Sequence, residues 1–112
     1  MNFSCTNRGK ELGLKTFFDG IFITDNEYQE NLEYPIKLEY YKTIQTEENV
    51  EAKYGIEIVK TEYKDGKVNI ENNIVNNLTP NVEEAERILT ILKNNTVTPI
   101  GMQDVLKEMF TE

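Results

Sequence analysis

Carboxylates and tyrosines are the groups in this chain with the means to do chemistry, because the stronger candidates are missing or alone. The sequence has no histidine, one cysteine, and 20 Asp and Glu against 12 Lys and Arg. Without His it lacks the commonest general base, the usual partner of a Ser or Cys nucleophile, and the usual nitrogen ligand of zinc. Cys5 stands in a polar N-terminal stretch where no obvious neighbour would lower its pKa, so it reads as an inert thiol. Acids cluster at Asp25, Glu27, Glu30 and Glu33, and again at Glu47, Glu48 and Glu51. A calcium loop needs oxygen ligands at alternating positions around a central Gly, with a distal Glu. The Asp25 stretch has neither that Gly nor that spacing, and reads as a solvated loop. Two carboxylates could still converge in space as acid and base, but no spacing marks a particular pair. Gly9, Gly13 and Gly20 are too far apart to cradle a phosphate, and they do not open a helix. No catalytic, cofactor-binding or metal-binding residue is assigned, and no cofactor is expected.

The tyrosines are the one hint of recognition. Tyr40 and Tyr41 are adjacent, and Tyr54 and Tyr63 follow in the next apolar run. Neighbouring residues on a strand point to opposite faces, so Tyr40 and Tyr41 cannot both be core unless both faces are covered. A row of exposed tyrosines on a sheet would suit a protein contact. The plainer reading is that Tyr forms strands well and leaves its hydroxyl at the rim of a core. Tyr40, Tyr41 and Tyr63 are the candidate contact residues.

Charge narrows the partners. The net charge is −8, and the basic residues sit among acids, as in Glu57, Lys60, Glu62, Lys64 and Asp65. Binding duplex nucleic acid requires Lys and Arg to displace counterions, so nucleic acid is not an expected partner. The same charge argues against anionic membrane surfaces. No run approaches the roughly 20 apolar residues that cross a bilayer. Met1 to Lys15 is polar and unlike a signal peptide, and a lone cysteine allows no intramolecular disulfide, so a cytoplasmic protein is expected.

The elements that must position these groups read as follows. At 112 residues the chain is one domain, with residues 1 to 13 expected as a loose terminus. Leu14 to Thr24 is rich in aromatic and β-branched residues and reads as strand, with Asp19-Gly20 as either a tight turn or a bulge. Asp25 to Glu33 and Thr46 to Lys53 read as loops. Ile36, Leu38 and Tyr40 alternate with Lys37, Glu39 and Tyr41, the mark of a half-buried strand. Tyr54 to Tyr63 and Val68 to Val75 flank Asp65-Gly66 as a hairpin. A two-residue turn would pair Tyr63 with Val68 and Thr61 with Ile70. A three-residue turn would instead gather Ile56, Ile58, Val68, Ile70 and Ile74 on one face, and is preferred on that ground. The two-residue turn requires a sheet covered on both faces, or a dimer. Asn72, Asn73, Asn76 and Asn77 read as the ragged end of the second hairpin strand.

Thr79 or Asn81 then caps a helix, with Pro80 in its first turn and Asn81 and Glu84 at capping-box spacing. Val82, Ala85, Ile88, Leu89 and Leu92 form its apolar stripe, and Glu83 and Arg87 a surface pair. Lys93-Asn94-Asn95 ends it with residues that tolerate left-handed geometry. A last helix, starting at Pro99 or after Gly101, places Met102, Val105, Leu106, Met109 and Phe110 on one side. It carries Asp104 and Glu108 against Lys107 and no Arg, so the two helices do not read as a DNA-recognition pair. The expected fold is α+β: an antiparallel meander of three to five strands with two short C-terminal helices packed on one face.

Three segments resemble a known family. Lys37-Leu38-Glu39-Tyr40-Tyr41, Tyr54-Gly55-Ile56-Glu57-Ile58-Val59-Lys60, and Asn95-Thr96-Val97-Thr98-Pro99 followed by Asp104-Val105 look like a family of small bacterial proteins defined as a domain of unknown function. The resemblance spans residues 36 to 110. It implies a cytoplasmic bacterial protein and transfers no catalytic residue.

Three functional expectations follow. The first is a non-enzymatic interaction module or regulator that binds a protein or itself through the second sheet face. The second is a small ligand binder or enzyme using carboxylates and tyrosines, which needs a pocket with two converging acids. The third is an acidic mimic of nucleic acid, which needs carboxylates spaced along one face.

Overall fold

The computed structural model describes residues 11–24, 35–47 and 53–110. Its elements are β1 (Glu11–Ile23), β2 (Ile36–Glu47), β3 (Lys53–Lys64), β4 (Lys67–Thr79), α1 (Val82–Asn94) and α2 (Met102–Phe110). The strands form one four-stranded sheet in the order β1-β2-β3-β4, antiparallel throughout. The expected α+β meander with two C-terminal helices is what forms. β1 begins at Glu11, and residues 1–10 lie outside the described residues. Cys5, the Asp25 to Glu33 loop and the Glu48 and Glu51 part of the second acidic cluster lie outside the described residues.

One face of the sheet carries the core. Leu38 and Tyr40 on β2 and Ile56 and Ile58 on β3 are fully buried against Ile88, Leu89 and Leu92 of α1 and Met102 of α2. The helical stripe of Ala85, Ile88, Leu89 and Leu92 is therefore the packed face, as its spacing requires. Two ion pairs tie α1 to the sheet: Lys42 Nζ to Glu86 Oε2 at 2.8 Å, and Lys93 Nζ to Asp19 Oδ2 at 3.5 Å. The Asp19-Gly20 alternatives resolve as a bulge: pairing with β2 shifts between Phe17 and Asp19. The extra residue, Phe18, packs against the core while Phe17 stays exposed.

The β3–β4 hairpin differs from the preferred expectation. Asp65 and Gly66 have φ of 53° and 75°. Positive φ at both central residues matches the two-residue type I′ turn, whose twist suits a hairpin. Tyr63 accordingly pairs with Val68, Thr61 with Ile70 and Glu57 with Ile74. Ile56 and Ile58 lie on the helical face, while Val68, Ile70 and Ile74 lie on the other. Nor does β4 fray at its asparagines. It continues to Thr79, with Asn77 at φ 57° where the register shifts between Tyr54 and Ile56.

The helix ends show how the cap signals are used. The Asn81 side chain accepts from Glu83 N at 2.8 Å and Glu84 N at 3.1 Å, while Asn81 N donates to Thr79 Oγ1 at 3.1 Å. Thr79 and Asn81 thus share the capping expected of one of them. Glu84 does not complete the box. It takes Arg87 instead, through both guanidinium and carboxylate forks, so the expected Glu83–Arg87 pair is a Glu84–Arg87 pair. At the other end Thr96 N donates to Lys93 O and Val97 N to Leu92 O, both at 3.0 Å. This is a Schellman ending in which Thr96, at φ 53°, takes the left-handed position while Asn95 keeps φ −102°. The second helix begins after Gly101. Met102 and Leu106 face the core, and Phe110 is half exposed.

Candidate interaction face

The face of the sheet opposite the helices is assembled from alternate residues of all four strands. Directly paired residues on neighbouring strands share a face, so the strand register gives its rows. Phe17, Tyr41, Glu57 and Ile74 make one row, and Gly20, Glu39, Val59 and Asn72 the next. Phe22, Lys37, Thr61 and Ile70 follow, and Tyr63 and Val68 close the hairpin end. Among the described residues no helix or strand lies over this face. Phe17, Phe22, Tyr63, Val68, Ile70 and Ile74 are all exposed on it, Ile70 to 66% and Val68 to 57%. Scattered exposed apolar residues are ordinary on a protein surface, but a contiguous set on one face is the mark of a contact site.

The polar groups between them are already paired. Glu57 is 6% exposed. Its carboxylate meets Lys15 Nζ at 3.3 Å and accepts from Asn72 Nδ2 at 2.8 Å. Lys37 Nζ lies 3.8 Å from Glu39 Oε2. Glu39, and then a hydrogen bond to the Tyr63 hydroxyl, hold the Lys37 ammonium above its ordinary pKa. Lys15 Nζ also sits 4.4 Å over the Tyr41 ring, and Phe17 meets that ring edge-on at 5.7 Å. Burial, with Glu39 next, pushes the Tyr41 phenol up. Phe22 and Tyr63 lean together with centroids 6.3 Å apart.

The three candidate tyrosines are not equivalent. Tyr41 and Tyr63 lie on this face. Tyr40 does not: it is fully buried under α1, and its hydroxyl donates to Val97 O at 2.9 Å. It ties the sheet to the segment between the helices, so it leaves the contact set. Sequence reasoning missed Phe17, Phe22, Val68, Ile70 and Ile74. The available signal was the Asp65-Gly66 dipeptide, which favours a two-residue type I′ turn on backbone grounds alone.

The described residues also form depressions that could hold a small ligand. A groove of 530 Å³ between the helices is lined by Ile91, Asn95, Val97, Val105, Glu108 and Met109. A smaller hollow of 190 Å³ lies beside Lys15, Thr43, Glu57 and Ile74 at one end of the open face. Each has a single carboxylate in its lining, so neither brings two acids together. Among the described residues no group of three or more Cys, Asp or Glu converges as metal ligands. No helix among them is long and apolar enough to cross a membrane.

The chain belongs to a family of unknown function, DUF6514, whose family model matches residues 20–112. No curated protein and no solved structure matches it.

Proposed function

We propose that this DUF6514 chain is a small non-enzymatic module that works by binding protein through the sheet face opposite its helices. Family membership brings no activity with it, so the reading rests on the chain's own surface. The observation that carries it is the set of exposed apolar side chains at Phe17, Phe22, Tyr63, Val68, Ile70 and Ile74 on one face. Their burial against a partner would be favourable at about 25 cal/mol per Å² of apolar surface removed from water. Tyr41 and Tyr63 suit such a contact, since an aromatic body with a polar tip is at home at an interface. The chain's net charge of −8 and the interspersed Lys and Glu argue against nucleic acid as the partner. A cytoplasmic location fits a sequence with a single cysteine.

The test is site-specific photo-crosslinking in cells producing the full chain. A photoreactive residue replaces Ile70 or Phe22 on the open face, or Thr90 on the exposed side of α1. Covalent adducts are expected from Ile70 and Phe22 and not from Thr90. Equal labelling at all three sites, or none on the open face, would sink the proposal.

A further inference from the structure

We infer that the occupant of the open face is a second copy of this chain, docked sheet on sheet about a two-fold axis that runs along the strands between β2 and β3. The inference rests on the interaction reading above and commits it to one partner.

Charge favours it. The chain carries −8, so two copies repel wherever they meet on a net acidic surface. Between the Lys15 row and the Tyr63 row the open face holds Lys15, Lys37, Glu39 and Glu57, two cations and two anions. They are paired within the face at 3.3 Å and 3.8 Å. A basic partner would be matched by a net acidic face, and an acidic partner by a net basic one. A neutral, apolar face matches a neutral, apolar face, and a second copy supplies one.

The arrangement is self-complementary. The β1 edge of the face is aromatic, with Phe17 and Phe22. The β4 edge is aliphatic, with Val68, Ile70 and Ile74. Phe17 and Ile74 share one row across the sheet, and Phe22 and Ile70 share another. A two-fold axis along the strands keeps each row in place and exchanges the edges. Phe17 then lies over Ile74 of the other copy and Phe22 over its Ile70, and each contact occurs twice, as an isologous interface demands. Rings over branched aliphatics fill the roughly 10 Å between packed sheets.

The size is sufficient. From Gly55 to Tyr63 the face runs roughly 27 Å along β3, and four strands span roughly 19 Å across, by ordinary strand spacings. That is about 500 Å² in projection. Side-chain relief raises it toward the ~800 Å² per partner of a standard stable interface.

Light scattering on a sizing column, with the full chain over a wide concentration range, reads the outcome. The expected result is a dimer that Ile70→Glu weakens by roughly tenfold or more, because the change removes an apolar contact made twice and sets a charge against the Phe22 ring of the other copy. Ile70 is exposed in the single chain, so the change leaves that chain's own core intact, and Phe22→Glu serves as a second variant. Thr90→Glu, on the outside of α1, should remain a dimer. A paired-cysteine variant fixes the orientation: Phe22→Cys with Ile70→Cys in a Cys5→Ser background. These two positions stand three strand spacings apart within one copy, roughly 14 Å, beyond disulfide reach. Across the proposed interface the facing positions stand roughly 10 Å apart, beyond a direct disulfide but closer than the pair within one copy, so the shortest bis-maleimide should link two chains.

A wild-type chain that is monomeric at every concentration would overturn the inference. So would a dimer indifferent to Ile70→Glu and Phe22→Glu, or one that the paired cysteines fail to link. A monomer whose Ile70 crosslinker still captures a different protein overturns the second copy while leaving the interaction module standing. A monomer with no adduct at all removes both. A monomer strongly destabilised by Ile70→Glu assigns the face to another segment of the same chain, and also overturns the inference.

Discussion

Gly55 on β3 lies so close to the Val75 carbonyl on β4 that no β-carbon fits between them. The cause is the surplus in β4: β3 advances from Tyr54 to Ile56 while β4 runs from Thr79 to Val75, and the extra backbone folds over Gly55. An added methyl would also meet Thr43 Oγ1 at 2.7 Å and Asn76 Cα at 2.9 Å. Two of these three obstacles are backbone, which cannot rotate away. Gly55→Ala is expected to lower stability by about 1–3 kcal/mol, as overpacking at a rigid site does. Gly66→Ala is the control. Nothing lies within 4 Å of a methyl there, and its cost arises from a φ of 75° alone, on the order of 1 kcal/mol. Urea unfolding of the two variants checks the ranking, and an Ala at 55 that is harmless would show that β4 can lift off Gly55.

Thr96 closes α1 in the wrong residue for its backbone. Its φ of 53° places a β-branched side chain in the left-handed region that Gly and Asn adopt most readily. The Schellman hydrogen bonds to Lys93 O and Leu92 O hold it there. Thr96→Asn keeps a polar side chain and relieves the strain, so it should raise stability by about 1 kcal/mol. Thermal unfolding reads the gain. A drop in midpoint would mean that the Thr96 side chain contributes more in contacts than its backbone costs.

Tyr41 predicts an alkaline limb to stability. Its phenol is raised above the ordinary 10.0, by burial first and by Glu39 next, and Lys15 opposes this without reversing it. A raised folded-state pKa means the fold favours the protonated phenol. That contribution is complete below the unfolded pKa near 10 and is lost as pH rises through the folded value. Lys37, raised by Glu39, contributes in the same direction. Tyr41→Phe should therefore flatten part of the fall in stability above about pH 10, leaving the Lys37 part. Denaturant midpoints across a neutral-to-alkaline series make the comparison. Identical slopes for wild type and variant would refute the assignment.

The face that carries the proposed function was half legible in the chain. Tyr41 was singled out because a strand must send it away from Tyr40, and that geometry is independent of what the sheet packs against. Which of the two is core was not legible, because both are large, amphipathic and good strand formers. The structure decides it through α1: Ile88, Leu89 and Leu92 cover the side on which Tyr40 stands, and Val97 O receives its hydroxyl. Phe17 and Phe18 present the same ambiguity one strand away. A bulge separates them, and a bulge is a property of two paired strands rather than of one.

What the sequence determined by itself is everything that neighbours along the chain can encode: the alternation of β2, the α1 stripe and its Asn81 cap, and a turn at Asp65-Gly66. Each depends on contacts a few residues apart, so local residue types suffice. The type I′ preference of Asp65-Gly66 carries the hairpin register locally too; tertiary structure alone decided which face of the sheet α1 covers, and so that Val68, Ile70 and Ile74 stand on the other. A preference for one covered face gathers Ile56, Ile58, Val68, Ile70 and Ile74 together. The backbone instead takes two successive positive φ angles, and a shift of one residue in the turn moves the outer half of β4 onto the opposite face.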